Sequence, residues 1–134
     1  MKTFRVEAVK SVDNVAFGAT RKEVRTHLGD EYREMRKSKY SKNTMDAYDI
    51  CHAYYTPENT LEAIEIFPEA TVIFNGQPIP TEYEAAVQWL KSLTSDVQID
   101  EDGAMSVKLG LSLYAPDGKI ESIMVADDKY FAEV

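Results

Sequence analysis

The strongest alternation of apolar and polar residues in the chain begins after Ser106. Five apolar residues occupy every second position, which is the period of a strand with one buried face: Val107, Leu109, Leu111, Leu113 and Ala115. The segment 115–118 then has proline and glycine where a type I turn favours them. Because 120–125 is again apolar, the pattern predicts a β-hairpin over residues 106–125.

Two stretches have the Thr-x-x-Glu sequence of a capping box, in which the end residues satisfy each other's backbone N–H groups at a helix start. The first, 20–23, precedes an apolar pair at helical spacing, and Gly29 stands where a short helix ends. The second, 81–84, opens a longer helix with this apolar stripe: Tyr83, Ala86, Val87, Leu90 and Leu93. Since strands are predicted after each helix, the order suggests a duplicated helix-then-sheet plan, although no repeat of residues accompanies it.

Shorter alternating segments predict the remaining strands. They are 4–9, 48–55, 61–67, a segment from Thr71 to Phe74 that ends in the Asn75-Gly76 turn signal, and 97–99. Tight turns join antiparallel neighbours. We therefore predict an α+β fold in one domain, residues 1–134, with a mostly antiparallel sheet of about seven short strands and two helices packed on one face.

The segment from Asp30 to Met45 fits neither pattern. It contains few aliphatic residues, and its basic residues lie among Tyr32 and Tyr40: Arg33, Arg36, Lys37, Lys39 and Lys42. One hypothesis is a loop that binds phosphate or nucleic acid, because aromatic rings stack on bases and cations pair with phosphates. The other is a mobile, solvated connection.

Charge separates the chain into two parts and limits its partners. The net charge is −8, yet residues 1–42 hold 11 Lys/Arg against 6 Asp/Glu, whereas residues 43–134 hold 4 against 17. An acidic balance disfavours binding to nucleic acid and favours a basic partner or a divalent cation. Acidic surfaces also serve solubility alone, so a single acidic residue is weak evidence for a binding site.

Cysteine content and hydropathy indicate the compartment. Cys51 is the single cysteine, so no internal disulfide can form. The first seven residues lack the apolar segment of a secretory signal, and no apolar run has the roughly 18 residues of a membrane helix. We therefore expect a cytoplasmic protein without membrane contact.

Candidate catalytic and metal-binding groups are sparse. Aligning Gly103 with the invariant glycine of a calcium loop puts Gln98 and Leu109 at the positions of end ligands, so the match fails. Cys51 and His52 are adjacent on a predicted strand and face opposite sides, as do Glu62 and Glu65. No phosphate-binding loop or hydrolase motif is present. The sequence predicts neither cofactor nor metal, and nothing in it supports an enzyme.

Tyrosine and acidic residues give the candidate partner-binding surface. Tyrosine is favoured at protein interfaces, and the predicted strand 48–55 combines it with Asp49 and with Asp46 just before it. We predict that a basic partner contacts two groups of residues. The first is Asp46, Tyr48, Asp49, Tyr54, Glu62 and Glu65, and the second is Asp100, Glu101 and Asp102.

Two resemblances bear on the function. The segment Phe17-Gly18-Ala19-Thr20-Arg21-Lys22-Glu23-Val24, followed by Leu28-Gly29, resembles the helix opening of small bacterial α+β domains. Some outer-membrane assembly lipoproteins and β-lactamase-inhibitor-like proteins share it. As an acidic, hairpin-rich chain, the protein also resembles by type the cytoplasmic immunity proteins of bacterial toxin–immunity systems, which bind basic nuclease toxins. That resemblance implies a basic toxin domain as partner and assigns no site residues.

The leading hypothesis is therefore a non-enzymatic protein-binding module, in particular an immunity protein that neutralises a basic toxin domain. The alternative is a small-molecule-binding domain or enzyme with a pocket between the sheet and the 81–93 helix. Nucleic-acid binding by residues 33–42 is a third and weaker hypothesis.

Overall fold

The computed structural model describes residues 2–36, 38–40 and 42–132, which form thirteen strands and two helices. The first part of the chain contains β1 (Thr3–Glu7), β2 (Ser11–Val12), β3 (Val15–Ala16), α1 (Arg21–Leu28), β4 (Arg33–Arg36), β5 (Thr44–Ala47), β6 (Cys51–Tyr55) and β7 (Leu61–Ile66). The second contains β8 (Thr71–Phe74), β9 (Gln77–Pro78), α2 (Tyr83–Leu93), β10 (Gln98–Asp100), β11 (Gly103–Ser106), β12 (Leu111–Tyr114) and β13 (Ser122–Ala126).

The strands form two sheets instead of the single sheet that we predicted. The larger has eight strands in the order β10-β11-β12-β13-β7-β6-β5-β4, and every neighbouring pair is antiparallel. The smaller has the order β3-β2-β1-β8-β9, with β1 and β8 parallel. The predicted α+β class is confirmed, with more strands than expected.

The element order shows the helix-then-sheet plan twice. α1 is followed by the meander β4–β7, and α2 is followed by the meander β10–β13. The last strands of the two meanders, β7 and β13, pair with each other in the middle of the larger sheet. This central pairing joins two four-stranded units into one sheet.

One hydrophobic core contains residues from both sheets and both helices. Phe4 and Phe74 come from the smaller sheet, Val24 from α1 and Leu90 from α2. The larger sheet contributes one of its faces, which we call the core face: Cys51, Ala53, Tyr55, Ile64, Ile66, Ala104, Leu111, Leu113 and Val125. Residues that alternate with these point to the opposite side of the sheet.

The helices begin differently from each other. The Thr20 cap is confirmed, because the Glu23 backbone N–H donates to the Thr20 hydroxyl at 3.2 Å; the Glu23 carboxylate accepts from that hydroxyl at 3.1 Å and not from the Thr20 N–H as predicted. The second is wrong: Glu82 is the N-cap of α2 and makes no side-chain capping bond. Packing of the predicted stripe supports α2 instead, with Ala86, Val87 and Leu90 buried.

The predicted hairpin is correct in its second half only. β12 and β13 pair with Leu111 opposite Val125, and the Gly118 N–H donates to the Ala115 carbonyl across the predicted turn. Residues 107–110 form a turn instead of extending β12. A Cβ at Gly110, where φ is +60°, would overlap the Ala126 carbonyl oxygen.

The connection predicted after α1 contains an edge strand. β4 pairs with β5, placing Met35 opposite Met45, and all four of its residues are exposed. Arg33 and Arg36 therefore lie at the outer edge of the larger sheet. Lys37, in the basic segment, lies outside the described residues.

Candidate functional site

The second face of the larger sheet lies away from the core, and we call it the open face. Residues paired across antiparallel strands share a face, so the pairing defines its rows. One row is Met35, Met45, Tyr54, Ala63 and Ala126. The next is Arg33, Ala47, His52, Glu65, Met124, Ser112, Met105 and Gln98.

The turn after β13 covers one end of the open face. Tyr130 and Phe131 pack against a small second cluster of buried residues, Met45, Tyr54, Ala63 and Ala126. Among the described residues, neither helix and no strand of the smaller sheet belongs to that cluster. In the middle of the open face the side chains of His52 and Glu65 keep 28 % and 20 % of their surface exposed, so a partner can reach them.

Methionine is concentrated on the open face. Every methionine that the structure describes, Met35, Met45, Met105 and Met124, projects from it. Met35 is 42 % exposed, and Met105 and Met124 are half-buried. Flexible, polarisable methionine side chains suit surfaces that adapt to a binding partner.

A polar cluster lies at the centre of the open face, around Glu65. The hydroxyl of Tyr54 donates to one carboxylate oxygen at 2.8 Å, and that of Ser122 donates to the other at 2.7 Å. Nδ1 of His52 lies 3.6 Å from the carboxylate. Burial and the bond to Glu65 raise the pKa of Tyr54 far above its ordinary value, which keeps this donor protonated.

The turns at one end of the larger sheet form an acidic rim. Pairing brings to this end residues 48–50, 67–70, 100–102 and 115–121. They carry Asp49, Glu69, Asp100, Glu101, Asp102, Asp117 and Glu121, with Lys119 as the single basic residue. With neighbouring strands about 4.8 Å apart, the rim extends over roughly 25 Å.

Six of the predicted partner-binding residues lie on the rim or the open face. Tyr54 and Glu65 meet in the central polar cluster. Four others, Asp49, Asp100, Glu101 and Asp102, belong to the rim and are exposed. Within the described chain none of these four forms an ion pair, although Asp100 accepts the backbone N–H groups of Asp102 and Gly103.

Asp46 lies on the other side of the sheet and is 0 % exposed, so no partner can reach it. Two bonds of 2.8 Å from Arg25 hold its carboxylate, and the Tyr55 hydroxyl adds a third at 3.0 Å. Arg25 also donates to Glu34 on β4. This group joins α1 to the edge of the larger sheet and has a structural role.

Tyr48 and Glu62 are also held by other residues of the chain. The Tyr48 hydroxyl donates to the Gly29 carbonyl at 3.0 Å, and burial raises its pKa to about 12. Glu62 accepts from the Asn43 side chain at 2.9 Å, at the opposite end of the sheet from the rim. Glu62 therefore lies outside the rim and the central polar cluster. Tyr48 belongs to the rim turn 48–50, but its hydroxyl is bonded to Gly29 within the chain.

Sequence reasoning missed His52, Ser122 and Met124 as parts of the site. The opposite orientations of Cys51 and His52 are confirmed: Cys51 is buried in the core, and burial raises the pKa of its thiol to about 12. Alternation along β6 puts His52 on the face of Tyr54. Ser122 and Met124 reach Glu65 only through the pairing of β7 with β13, which no local pattern signals.

An apolar cavity of about 220 Å³ opens between the two sheets. Its lining includes residues 79–81, just before α2, and these side chains: Ile66, Phe67, Val72, Ile79, Ile120 and Ile123. It lies beside the start of α2, not along that helix.

The described residues contain no group of three or more His, Cys, Asp or Glu side chains that could hold a metal ion. In the same part of the chain, no helix has the length and apolar character needed to cross a membrane. Comparison of the chain with protein-family models, with curated proteins and with solved structures finds no match.

Proposed function

We propose that this chain is a protein-binding module whose open face and acidic rim bind a basic protein, in the manner of an immunity protein that occludes a toxin domain. The observation that carries the proposal is the position of a methionine-rich sheet face, covered at one end only, next to a continuous acidic rim. The chemistry of the partner follows from charge complementarity, because the rim holds many carboxylates and one lysine.

The two surfaces have different tasks in this proposal. The rim accelerates encounter with a cationic surface, an effect that salt screens. The open face supplies apolar contact, in which methionine and aromatic side chains slow dissociation.

The proposal is tested by affinity capture from the host lysate with three proteins. They are the wild type, the rim variant Glu101→Gln/Asp102→Asn, and the control Glu58→Gln/Asp128→Asn, which makes the same charge change at exposed positions at the other end of the sheet. The captured protein is identified, purified and titrated against all three.

We expect a basic protein that binds at equal stoichiometry and is released as salt rises. The rim variant should associate roughly tenfold more slowly at low salt, whereas the control should match the wild type. An acidic partner, or equal association by all three proteins, would contradict the proposal.

A second candidate function is the binding of a small apolar molecule in the cavity between the sheets. A cavity of this size suits a ligand of about one or two rings, since about 150 Å³ already holds benzene. Titration with indole should shift the NMR signals of Ile66, Ile79 and Ile123, and Ala70→Leu should abolish the shifts by filling the space. The absence of shifts at millimolar indole would remove this candidate.

A further inference from the structure

We infer that the central polar cluster of the open face is a binding site for a lysine or arginine side chain of the partner. The inference rests on the proposed function and deepens it, because it assigns one chemical group of the partner to one place on the surface.

The first argument is the charge of Glu65. Its side chain is 20 % exposed, and each carboxylate oxygen accepts a hydrogen bond from a hydroxyl, one from Tyr54 and the other from Ser122. Hydroxyl donors stabilise the carboxylate but leave its charge uncompensated. No lysine or arginine of the described chain forms an ion pair with Glu65, and the nearest cationic group, His52, is charged only when protonated.

Asp46 is a carboxylate whose hydrogen bonds and charge are both balanced by other side chains of this protein. It receives two bonds from Arg25 in addition to the Tyr55 hydroxyl. Glu65 has the corresponding tyrosine bond, but its second oxygen accepts from the Ser122 hydroxyl instead of an arginine, and its side chain is 20 % exposed. A cation supplied by a partner would complete the same arrangement.

The second argument is the group of side chains around Glu65. The His52 ring meets the Phe67 ring edge-on at 4.8 Å between centroids and the Tyr54 ring at 6.2 Å. Met124 stands directly across from Glu65 on β13. Aromatic faces attract cations, and apolar neighbours cover the aliphatic stem of a long basic side chain.

The same surroundings disfavour a metal ion as the occupant. A divalent cation needs several oxygen ligands, and Glu65 is the single carboxylate in the cluster. A lysine or arginine needs one carboxylate and an apolar path for its stem, which this site offers.

The test compares Glu65→Gln with Glu62→Gln, which removes the same charge from the same strand outside the cluster. With the captured basic protein, Glu65→Gln should weaken binding roughly tenfold or more, mainly through faster dissociation, whereas Glu62→Gln should leave it nearly unchanged. The rim variant should instead act mainly on association. Unchanged thermal stability of Glu65→Gln shows that its effect is on binding.

A second measurement does not need the partner. N-acetyl-arginine amide and N-acetyl-lysine amide are titrated into the free protein in the millimolar range, and amide NMR signals are followed. We expect shifts at His52, Glu65 and Phe67 in the wild type and in Glu62→Gln, and none in Glu65→Gln.

The two measurements separate the failure of this inference from that of the proposed function. If no basic protein binds, the proposed function fails, and the titration still decides whether the site accepts a cation. If a basic protein binds wild type and Glu65→Gln equally, the inference is overturned and the proposed function stands. If neither the arginine amide nor the lysine amide shifts these signals, the inference is also overturned.

Discussion

Burial assigns different roles to carboxylates that look alike in the sequence. Asp46 and Glu65 both lie on strands of the larger sheet and both accept a bond from a tyrosine. Asp46 faces α1 and its charge is balanced by Arg25, whereas Glu65 faces outward without a permanent cation. The first belongs to the architecture and the second is available for binding.

We predict that Asp46→Asn destabilises the protein by about 3 kcal/mol, because it leaves the partly buried Arg25 charge with the exposed Glu34 as its remaining carboxylate partner. Urea unfolding measures the change. Asp49→Asn, three residues away and exposed, serves as the control and should stay within about 0.5 kcal/mol of the wild type. An Asp46→Asn protein of unchanged stability with impaired partner binding would return Asp46 to the interface.

At the scale of elements, sequence patterns predicted a helix start or a turn correctly where residues close in the sequence hydrogen-bond to each other. The Thr20 capping box and the 115–118 turn were predicted from residues that bond to each other. Val107 and Leu109 continue the alternation of β12, yet they lie in a turn. There the Asp96 carboxylate accepts the Lys108 N–H at 2.9 Å and the Ser106 hydroxyl at 2.6 Å, a tertiary contact that alternation cannot reveal.

The bonds of Asp96 to this turn predict how the stability of the protein depends on pH. Partial burial disfavours the Asp96 carboxylate, but hydrogen bonds from Ser106, Lys108 and Thr94 outweigh it and lower its pKa to about 2 from 3.8. Because the folded pKa is the lower one, the stabilisation is complete above about pH 4 and is lost as pH falls towards 2. Asp96→Asn should therefore cost about 2 kcal/mol at pH 7 and progressively less below pH 4.

Urea unfolding of wild type and Asp96→Asn at pH 7, 4 and 2.5 measures this difference. Asp117→Asn, an exposed acidic residue of the 115–118 turn, is the control and should follow the wild type at each pH. A constant difference between wild type and Asp96→Asn across the range would show that the carboxylate charge does not support the turn.

At the scale of the molecule, the class of fold could be predicted and the arrangement of its strands could not. Alternation and turn residues identify strands one at a time, and the helix-then-sheet order was visible because each Thr-x-x-Glu sequence marks a helix start that strands follow. The pairing of β7 with β13 and of β1 with β8 joins residues about 60 positions apart or more. Tyr54 and Glu65 could therefore be proposed from their types, whereas Ser122 and Met124 could not be assigned to the same site.

The same two pairings connect the repeated units. β1 belongs to the first part of the chain and β8 to the second, and β7 and β13 come from different meanders. Each of the two sheets therefore contains strands from both parts of the chain, β1–β7 and β8–β13, which we call the two units, and both units contribute to one core. Separation of the units would expose Ile64 and Val125 at the middle of the larger sheet.

We therefore predict that the two units unfold in a single transition, which two probes can test. Trp89 on α2 reports on the second unit through its edge-on contact with Phe74 and its bond to Gln77. Cys51 on β6 reports on the first unit, because its thiol is buried, has a raised pKa of about 12 and should react only on unfolding. Trp89 fluorescence and pulsed thiol labelling of Cys51 should give the same urea midpoint.

Asp46→Asn tests the coupling directly, because it alters only the first unit. It should lower both midpoints equally, and a shift of the Cys51 midpoint alone would show that the units fold independently.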